Sequence, residues 1–172
     1  MNITAGKYKG QKITAPDEHI TRPTLSKVRM SVFNSLQAMI DFEGASFLDM
    51  FSGSGIMGLE ALSRGFSNVV CIEKNKKVYN VIKSNFKKFE GNDLRLVLAD
   101  SLKYCKTLSC EFDVIYIDPP YYSGVYEASL NAVSNVASGI VILEHVLDVD
   151  FGEFSVIKQK KYGDKFITFL RK

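Results

Sequence analysis

From Phe47 onward, short apolar runs alternate with segments whose apolar residues recur at three- and four-residue steps. That is the pattern of βαβ units around a largely parallel sheet. Phe47 to Phe51 reads as a first buried strand, Ser52 to Gly55 as a turn, and Ile56 to Arg64 as a helix stopped by Gly65. Asn68 to Ile72 reads as the second strand, ending at Glu73. Lys76 to Phe89 reads as an amphipathic helix with Val78, Ile82, Phe86 and Phe89 on one face and its lysines on a solvated surface. Leu94 to Leu98 and Phe112 to Ile117 predict strands three and four. A helix over Tyr126 to Ala137 and a fifth strand over Ile140 to Leu143 follow. The tail, Phe154 to Leu170, carries two β-rich runs around Tyr162-Gly163-Asp164, the pattern of an antiparallel hairpin.

Residues 1–40 stand outside this rhythm. Asn2 to Ala15 predicts a short hairpin turning near Gly6 to Gly10. Thr24 is placed to N-cap a helix from Leu25 to Ile40, striped by Leu25, Val28, Val32, Leu36 and Met39. The expected architecture is a single α/β domain over residues 1–172. It has a Rossmann-like, doubly wound, mostly parallel sheet over 41–172, an antiparallel C-terminal hairpin, and a basic hairpin and helix extension over 1–40.

Composition narrows the setting. The 172 residues are 46% hydrophobic and 24% charged, ordinary for a soluble globular domain. No apolar run approaches the ~20 residues of a membrane span. The opening Met1-Asn2-Ile3-Thr4-Ala5-Gly6-Lys7 lacks the apolar core of a signal peptide. Cys71, Cys105 and Cys110 have no metal-ligand spacing, and neither His19 nor His145 has a ligand neighbour. Reduced thiols, a cytoplasmic location and no metal are therefore expected, with a monomer as the simplest state. The net charge of +3 is uneven: Lys7, Lys9, Lys12, Arg22, Lys27 and Arg29 face only Asp17 and Glu18 in the first forty positions. A basic arm on a neutral domain suggests a polyanion partner. Arg29 has an equal claim to an internal ion pair.

Two segments carry candidate chemistry. Asp118-Pro119-Pro120-Tyr121 ends the fourth strand with an acid, two residues lacking N–H groups and an aromatic ring. Such a rim can hold a planar amine: carboxylate and carbonyl oxygens accept its two hydrogens, and the ring stacks on the base. The acceptors then turn the amine's delocalised lone pair toward an electrophile. Gly53-Ser54-Gly55-Ile56-Met57-Gly58 fits G-x-G-x-x-G between strand and helix, with Glu73 about twenty residues on. This is also the fingerprint of a dinucleotide site, so a nicotinamide-dependent oxidoreductase and a catalytically silent binding domain stay open. Asp49 argues for a different ligand, because its charge would oppose a pyrophosphate and suit the ammonium and sulfonium of S-adenosylmethionine. Glu73 would then take the ribose, and Asp100 with Ser101 the adenine. Ser52, Gly53, Ser54, Gly55, Lys74 and Asp118 complete the cofactor set.

These segments resemble the bacterial small-subunit (16S) ribosomal RNA guanine-N2 methyltransferases along essentially the whole chain. The resemblance rests on Ala5-Gly6-Lys7-Tyr8-Lys9-Gly10, Arg22-Pro23-Thr24, Val28-Arg29, Phe33-Asn34, Leu48 to Gly55, Gly58 to Gly65 and the Asp-Pro-Pro-Tyr motif. Met50 and Ser52 depart mildly from the family pattern. The resemblance implies a seven-stranded methyltransferase sheet. It also implies that Asp49, Gly53, Gly55, Glu73 and Asp100 hold S-adenosylmethionine, and that Asp118, Pro119, Pro120 and Tyr121 hold the target guanine. The expected partner is ribosomal RNA, free or within a small-subunit assembly intermediate, met by Lys7, Lys9, Lys12, Arg22, Thr24 and Arg29. A DNA adenine-N6 methyltransferase shares the Asp-Pro-Pro-Tyr rim and is the nearest alternative.

Overall fold

A computed structural model describes residues 1–17, 25–120 and 124–172. Its elements run α1 (Ser26–Gln37), β1 (Ser46–Asp49), α2 (Ile56–Arg64), β2 (Asn68–Glu73), α3 (Lys76–Phe86), β3 (Leu94–Leu98), α4 (Ser101–Cys105), β4 (Phe112–Ile117), α5 (Val125–Val133), β5 (Ala137–His145), β6 (Ser155–Tyr162) and β7 (Lys165–Arg171). A 3-10 turn over Lys87–Phe89 extends α3.

The strands form one sheet in the order β3-β2-β1-β4-β5-β7-β6. Pairings from β3 through β5 are parallel; β7 runs antiparallel between β5 and β6. The chain winds outward from β1 to β3, then returns to place β4 on the other side of β1. The strand order reverses between β1 and β4, and open α/β sheets bind ligands in the crevice beyond the carboxyl ends at such a point. Asp49 and Asp118 end or follow those two strands.

Side-chain alternation along the strands feeds two cores, one per face. Phe47, Val114, Tyr116 and Phe169 pack with α1, α2 and the N-terminal arm. Leu48, Ile115, Ile117 and Leu170 pack with α5. Under α1, Phe42 and Phe66 stack at 4.7 Å between centroids, with Phe33 and Phe47 stacked beside them at 5.9 Å.

Several boundaries differ from expectation. β1 ends at Asp49, because Met50 and Phe51 already turn into the loop, although the Met50 N–H still bonds the Tyr116 carbonyl. α5 stops at Val133 rather than Ala137, and β5 begins at Ala137. α4 is a five-residue helix too short to leave a periodic signal. α1 starts at Ser26 with Leu25 in the N-cap position; Thr24, expected as the cap, lies outside the described residues. Leu25 is exposed, and the buried face of α1 is Arg29, Val32, Phe33, Ser35 and Leu36. The C-terminal hairpin forms around Gly163 as the sequence suggested.

The N-terminal hairpin has one bridge, Asn2 with Lys12, flanked by reciprocal bonds between Met1 and Ile13 and by bonds from the Ile3 N–H to the Gln11 carbonyl and from the Gly10 N–H to the Ile3 carbonyl. Ile3 and Ile13 also bury into the core and anchor it there. Gly6 adopts φ +81°, and a Cβ there would stand 1.8 Å from the Ser63 carbonyl oxygen, so the arm's docking requires glycine. The Lys7 N–H donates to that carbonyl at 2.7 Å and the Tyr8 N–H to Ser63 Oγ at 2.9 Å.

Candidate active site

A cavity of about 300 Å³ opens at the carboxyl ends of β1, β2 and β4. Asp49, Ser52, Gly53, Ser54, Glu73, Lys74, Ser101, Asp118, Pro119 and Pro120 line it. Sequence reading missed Phe51, Ile56, Met57, Ile72, Val78 and Tyr116, which supply most of its apolar wall, and the polar Asn75 beside them. Asn75 was legible by capping rules: it joins strand to helix, and its side chain accepts the Lys77 and Val78 N–H groups.

Asp49 is the site's most unusual group. It is 1% exposed, and among the described residues neither carboxylate oxygen has a hydrogen-bond partner within bonding geometry. Burial pushes its pKa up to about 8; the nearby Gly58 amide and Ser52 hydroxyl offset part of that rise, and the charges of Asp118 and Glu73 add to it. A buried carboxyl left without partners is costly unless a cation or donor completes it.

Glu73 closes the cavity's other wall. Its Oε2 accepts the Gly53 N–H at 3.1 Å and its Oε1 the Asn75 N–H at 2.7 Å, tying the glycine loop to the end of β2. Each oxygen keeps a second lone pair for a ligand hydroxyl. Gly55 does not line the cavity. It holds φ +76° at the head of α2, where a Cβ would come within 2.8 Å of Ile82. Asp100 also falls outside the lining: it is exposed, and its side chain caps α4 by accepting the Lys103 N–H at 3.1 Å. Its neighbour Ser101 does reach the cavity, donating its hydroxyl to the Met50 carbonyl.

On the β4 side, Asp118 is 17% exposed, and its Oδ1 lies 3.6 Å from Lys165 Nζ. Pro119 is buried and Pro120 exposed, both on the cavity rim. Tyr116 donates its hydroxyl to Glu144; burial first, then the charges of Glu144 and Asp118, holds its phenol well above the usual range. Tyr121 lies outside the described residues, as do Arg22 and Thr24.

Arg29 corrects an expectation. It is 3% exposed, pairs with Glu60 at 3.3 Å and donates to the Asn2 carbonyl at 2.8 Å. It clamps α1 and the arm onto α2 and offers no surface to RNA. Lys7, Lys9 and Lys12 are exposed on the arm, and Lys88 donates to the Lys12 carbonyl at 3.1 Å. The expected phosphate contacts therefore share a flank with the end of α3 rather than the cavity mouth. Among the described residues, no helix is long and apolar enough to cross a membrane, and no group of three His, Cys, Asp or Glu side chains is placed to hold a metal ion.

Comparison with known proteins places these features. The "Putative rRNA methyltransferase YlbH" of Bacillus subtilis (strain 168) is 30% identical over a 188-residue alignment, covering 100% of this chain and 99% of that protein. Ribosomal RNA small subunit methyltransferase D of Escherichia coli (strain K12) is 30% identical over 135 residues, 78% of this chain and 67% of that protein. A solved structure from Escherichia coli called "Putative methyltransferase yhhF" matches with a TM-score of 0.88 at 24% identity, over 99% of this chain and 96% of that one; the likeness is one of fold. The sheet is thus the doubly wound form of the class I methyltransferases, with an antiparallel C-terminal pair. The family described as Conserved hypothetical protein 95 matches residues 1–171. The chain belongs to that family, and the resemblance to bacterial small-subunit ribosomal RNA methyltransferases holds.

Proposed function

We propose that this protein transfers a methyl group from S-adenosylmethionine to the exocyclic N2 of a guanine in small-subunit ribosomal RNA. The observation that carries this reading is Asp49: a buried carboxyl without a hydrogen-bond partner among the described residues, in the same cavity as Asp118 and Pro119. A ligand bearing an ammonium and a sulfonium supplies the positive charge that Asp49 lacks, whereas a pyrophosphate would add repulsion.

In this reading Asp49 and the Ser52 to Gly55 loop hold the methionine portion, Glu73 takes the ribose hydroxyls, and Ser101 lies toward the adenine. Asp100 contributes through the helix cap that orients Ser101. When bound, S-adenosylmethionine supplies an electrophilic methyl carbon. Asp118 and the Pro119 carbonyl accept the two hydrogens of the guanine amine and aim its lone pair at that carbon. As the amine takes up the methyl group, Asp118 or water would receive the proton that the nitrogen gives up. Tyr121 is assigned to stack on the guanine once it leaves its helical stack. Positioning and aligned dipoles supply the acceleration, with no strong base required.

Lys7, Lys9 and Lys12 would neutralise RNA phosphates away from the reacting base, giving affinity without sequence information. Names of the relatives support RNA as the substrate, since two of them are called ribosomal RNA methyltransferases. The test is calorimetry with S-adenosylmethionine and with NAD, followed by incubation with unmodified ribosomal RNA and with small subunits. The reading predicts binding of the first ligand only, and methyl transfer to one of the two RNA substrates. NAD binding, or no transfer to either RNA form, would overturn it.

A further inference from the structure

The sheet ends on a basic edge. β6 is its last strand, and the sequences of β6, β7 and α1 contain no acidic residue. Two of their cations are engaged by carboxylates: Arg29 by Glu60, and Lys165 by Glu144 at 2.8 Å and Asp118 at 3.6 Å. Lys27, Lys158 and Lys160 differ, having no carboxylate at ion-pair distance among the described residues.

These three lysines gather where α1 lies against the edge strand. Ser31 Oγ accepts from the Lys160 ammonium at 3.0 Å and is bonded to the Tyr162 hydroxyl, so helix and strand are fixed together. Lys158, Lys160 and Tyr162 share one face of β6 by alternation. Lys27 stands one helical turn before Ser31, on the same side of α1. It is exposed, and Lys158 and Lys160 are half-buried, the state of a lysine whose stem packs while its head stays in water.

Topology brings this patch to the level of the cavity. β6 runs parallel to β5, since both pair antiparallel with β7, and its carboxyl end therefore joins the same crest. Ile117 pairs with Leu143, which puts Asp118 level with Glu144; Glu144 pairs with Ile167, and Ile167 with Lys160. Lys160 thus stands in line with Asp118, three interstrand steps or about 15 Å away. Lysines on an exposed edge strand also guard against edge-to-edge pairing. That role needs charge on the strand alone. It calls neither for Lys27 on the adjoining helix nor for the absence of acids from three neighbouring elements.

We propose that Lys27, Lys158 and Lys160 form a second RNA-binding surface, holding backbone phosphates that flank the guanine seated at the Asp118 rim. This rests on the function proposed above. The arm lysines lie at the α3 flank, on the β3 side of the sheet. The two basic surfaces therefore stand on opposite sides of the cavity, and the RNA spans it.

The test combines Lys27→Gln, Lys158→Gln and Lys160→Gln in one variant, with the corresponding triple Arg variant as the charge-keeping control. Fluorescence anisotropy follows binding of a small-subunit ribosomal RNA transcript across a series of salt concentrations. The Gln variant is expected to melt and to bind S-adenosylmethionine like the wild type. Its slope of log affinity against log salt should flatten by about two to three units, one lost phosphate contact per lysine. KM for the RNA should rise roughly tenfold or more with kcat within a few-fold, because such contacts are the same before and during transfer. The Arg variant should keep the wild-type slope. Adding Lys7→Glu and Lys9→Glu should flatten the slope further by the amount those two changes give alone, since the sites are independent. An unaltered slope in the Gln variant overturns the proposal; self-association of that variant in sedimentation, with the slope unaltered, would assign the lysines to edge protection instead. Binding is read without methyl transfer, so the two readings fail separately. A wild-type protein that binds the transcript but transfers no methyl group defeats the function proposed above, and the slope still decides for the surface. A wild-type protein that does not bind the transcript overturns the surface as well.

Discussion

Arg29 Nε lies 3.3 Å from Glu60 Oε1, in a pair that leaves 3% of the arginine and none of the glutamate exposed. Glu60 also receives Arg64 Nε at 3.3 Å, the Thr4 N–H at 2.7 Å and the Thr4 hydroxyl at 3.0 Å. One buried carboxylate therefore joins the arm, α1 and α2. Replacing Arg29 with Ala is expected to cost roughly 3 kcal/mol, because it leaves part of that charge uncompensated inside the protein. Urea unfolding measures the loss. A cost under half a kcal/mol would place Arg29 outside the structural clamp.

Lys7 and Lys9 are expected to behave in the opposite way. They are exposed, so Lys7→Glu with Lys9→Glu should leave the melting temperature nearly unchanged. RNA affinity should fall, and the slope of log affinity against log salt should flatten by about one to two units, as fewer counterions are released. An unaltered slope would remove the arm from the RNA interface.

Gly6 gives a prediction about how the arm is held. Ala at this position meets the Ser63 carbonyl at 1.8 Å while φ is +81°, so the arm must lift off α2. Gly6→Ala should destabilise the protein by about 2 kcal/mol or more and raise amide exchange at Lys7 and Tyr8. Retained protection at both amides would contradict the docking.

Asp49 predicts a pH dependence with a definite sign. Folded, it holds its proton up to about pH 8; its ordinary value is 3.8. Between those values the folded chain binds more protons than the unfolded one, so Asp49 makes stability fall as pH rises across that window. Asp49→Asn should thus melt higher than wild type near pH 8 without ligand, and about equally near pH 4. Wild-type affinity for S-adenosylmethionine should rise toward pH 8, with release of a proton, as the cation selects the ionised acid. The Asn variant should bind weakly with no such slope. Equal melting at pH 8, or undiminished binding, would count against Asp49 as the cation's partner.

Much of this was readable in the chain because local patterns and topology act together. Asp49, Glu73 and Asp118 sit at the carboxyl ends of apolar runs, and a doubly wound sheet gathers such ends at its switch point. Gly53 and Gly55 announce a loop for the same reason, although only Gly53 faces the cavity. What stayed hidden depends on pairs distant in sequence. Lys165 reaches Asp118 and Glu144 only because β7 returns antiparallel to β5, which no local spacing encodes. Arg29 reads equally as an RNA contact or an internal ion pair, and only the fold shows that the buried Glu60 claims it. Asp100 has a second role that the sequence reading did not single out: the acid just past a strand also caps the short helix that follows.

The most direct test of the central claim follows labelled methyl from S-adenosylmethionine into small-subunit ribosomal RNA, with digested nucleosides identified by mass spectrometry. Wild-type protein should put the label in N2-methylguanosine. Asp118→Ala should lose at least ~100-fold in turnover while keeping ligand affinity within a few-fold. Label in any other nucleoside, or near-wild-type turnover in Asp118→Ala, would contradict methyl transfer at this rim.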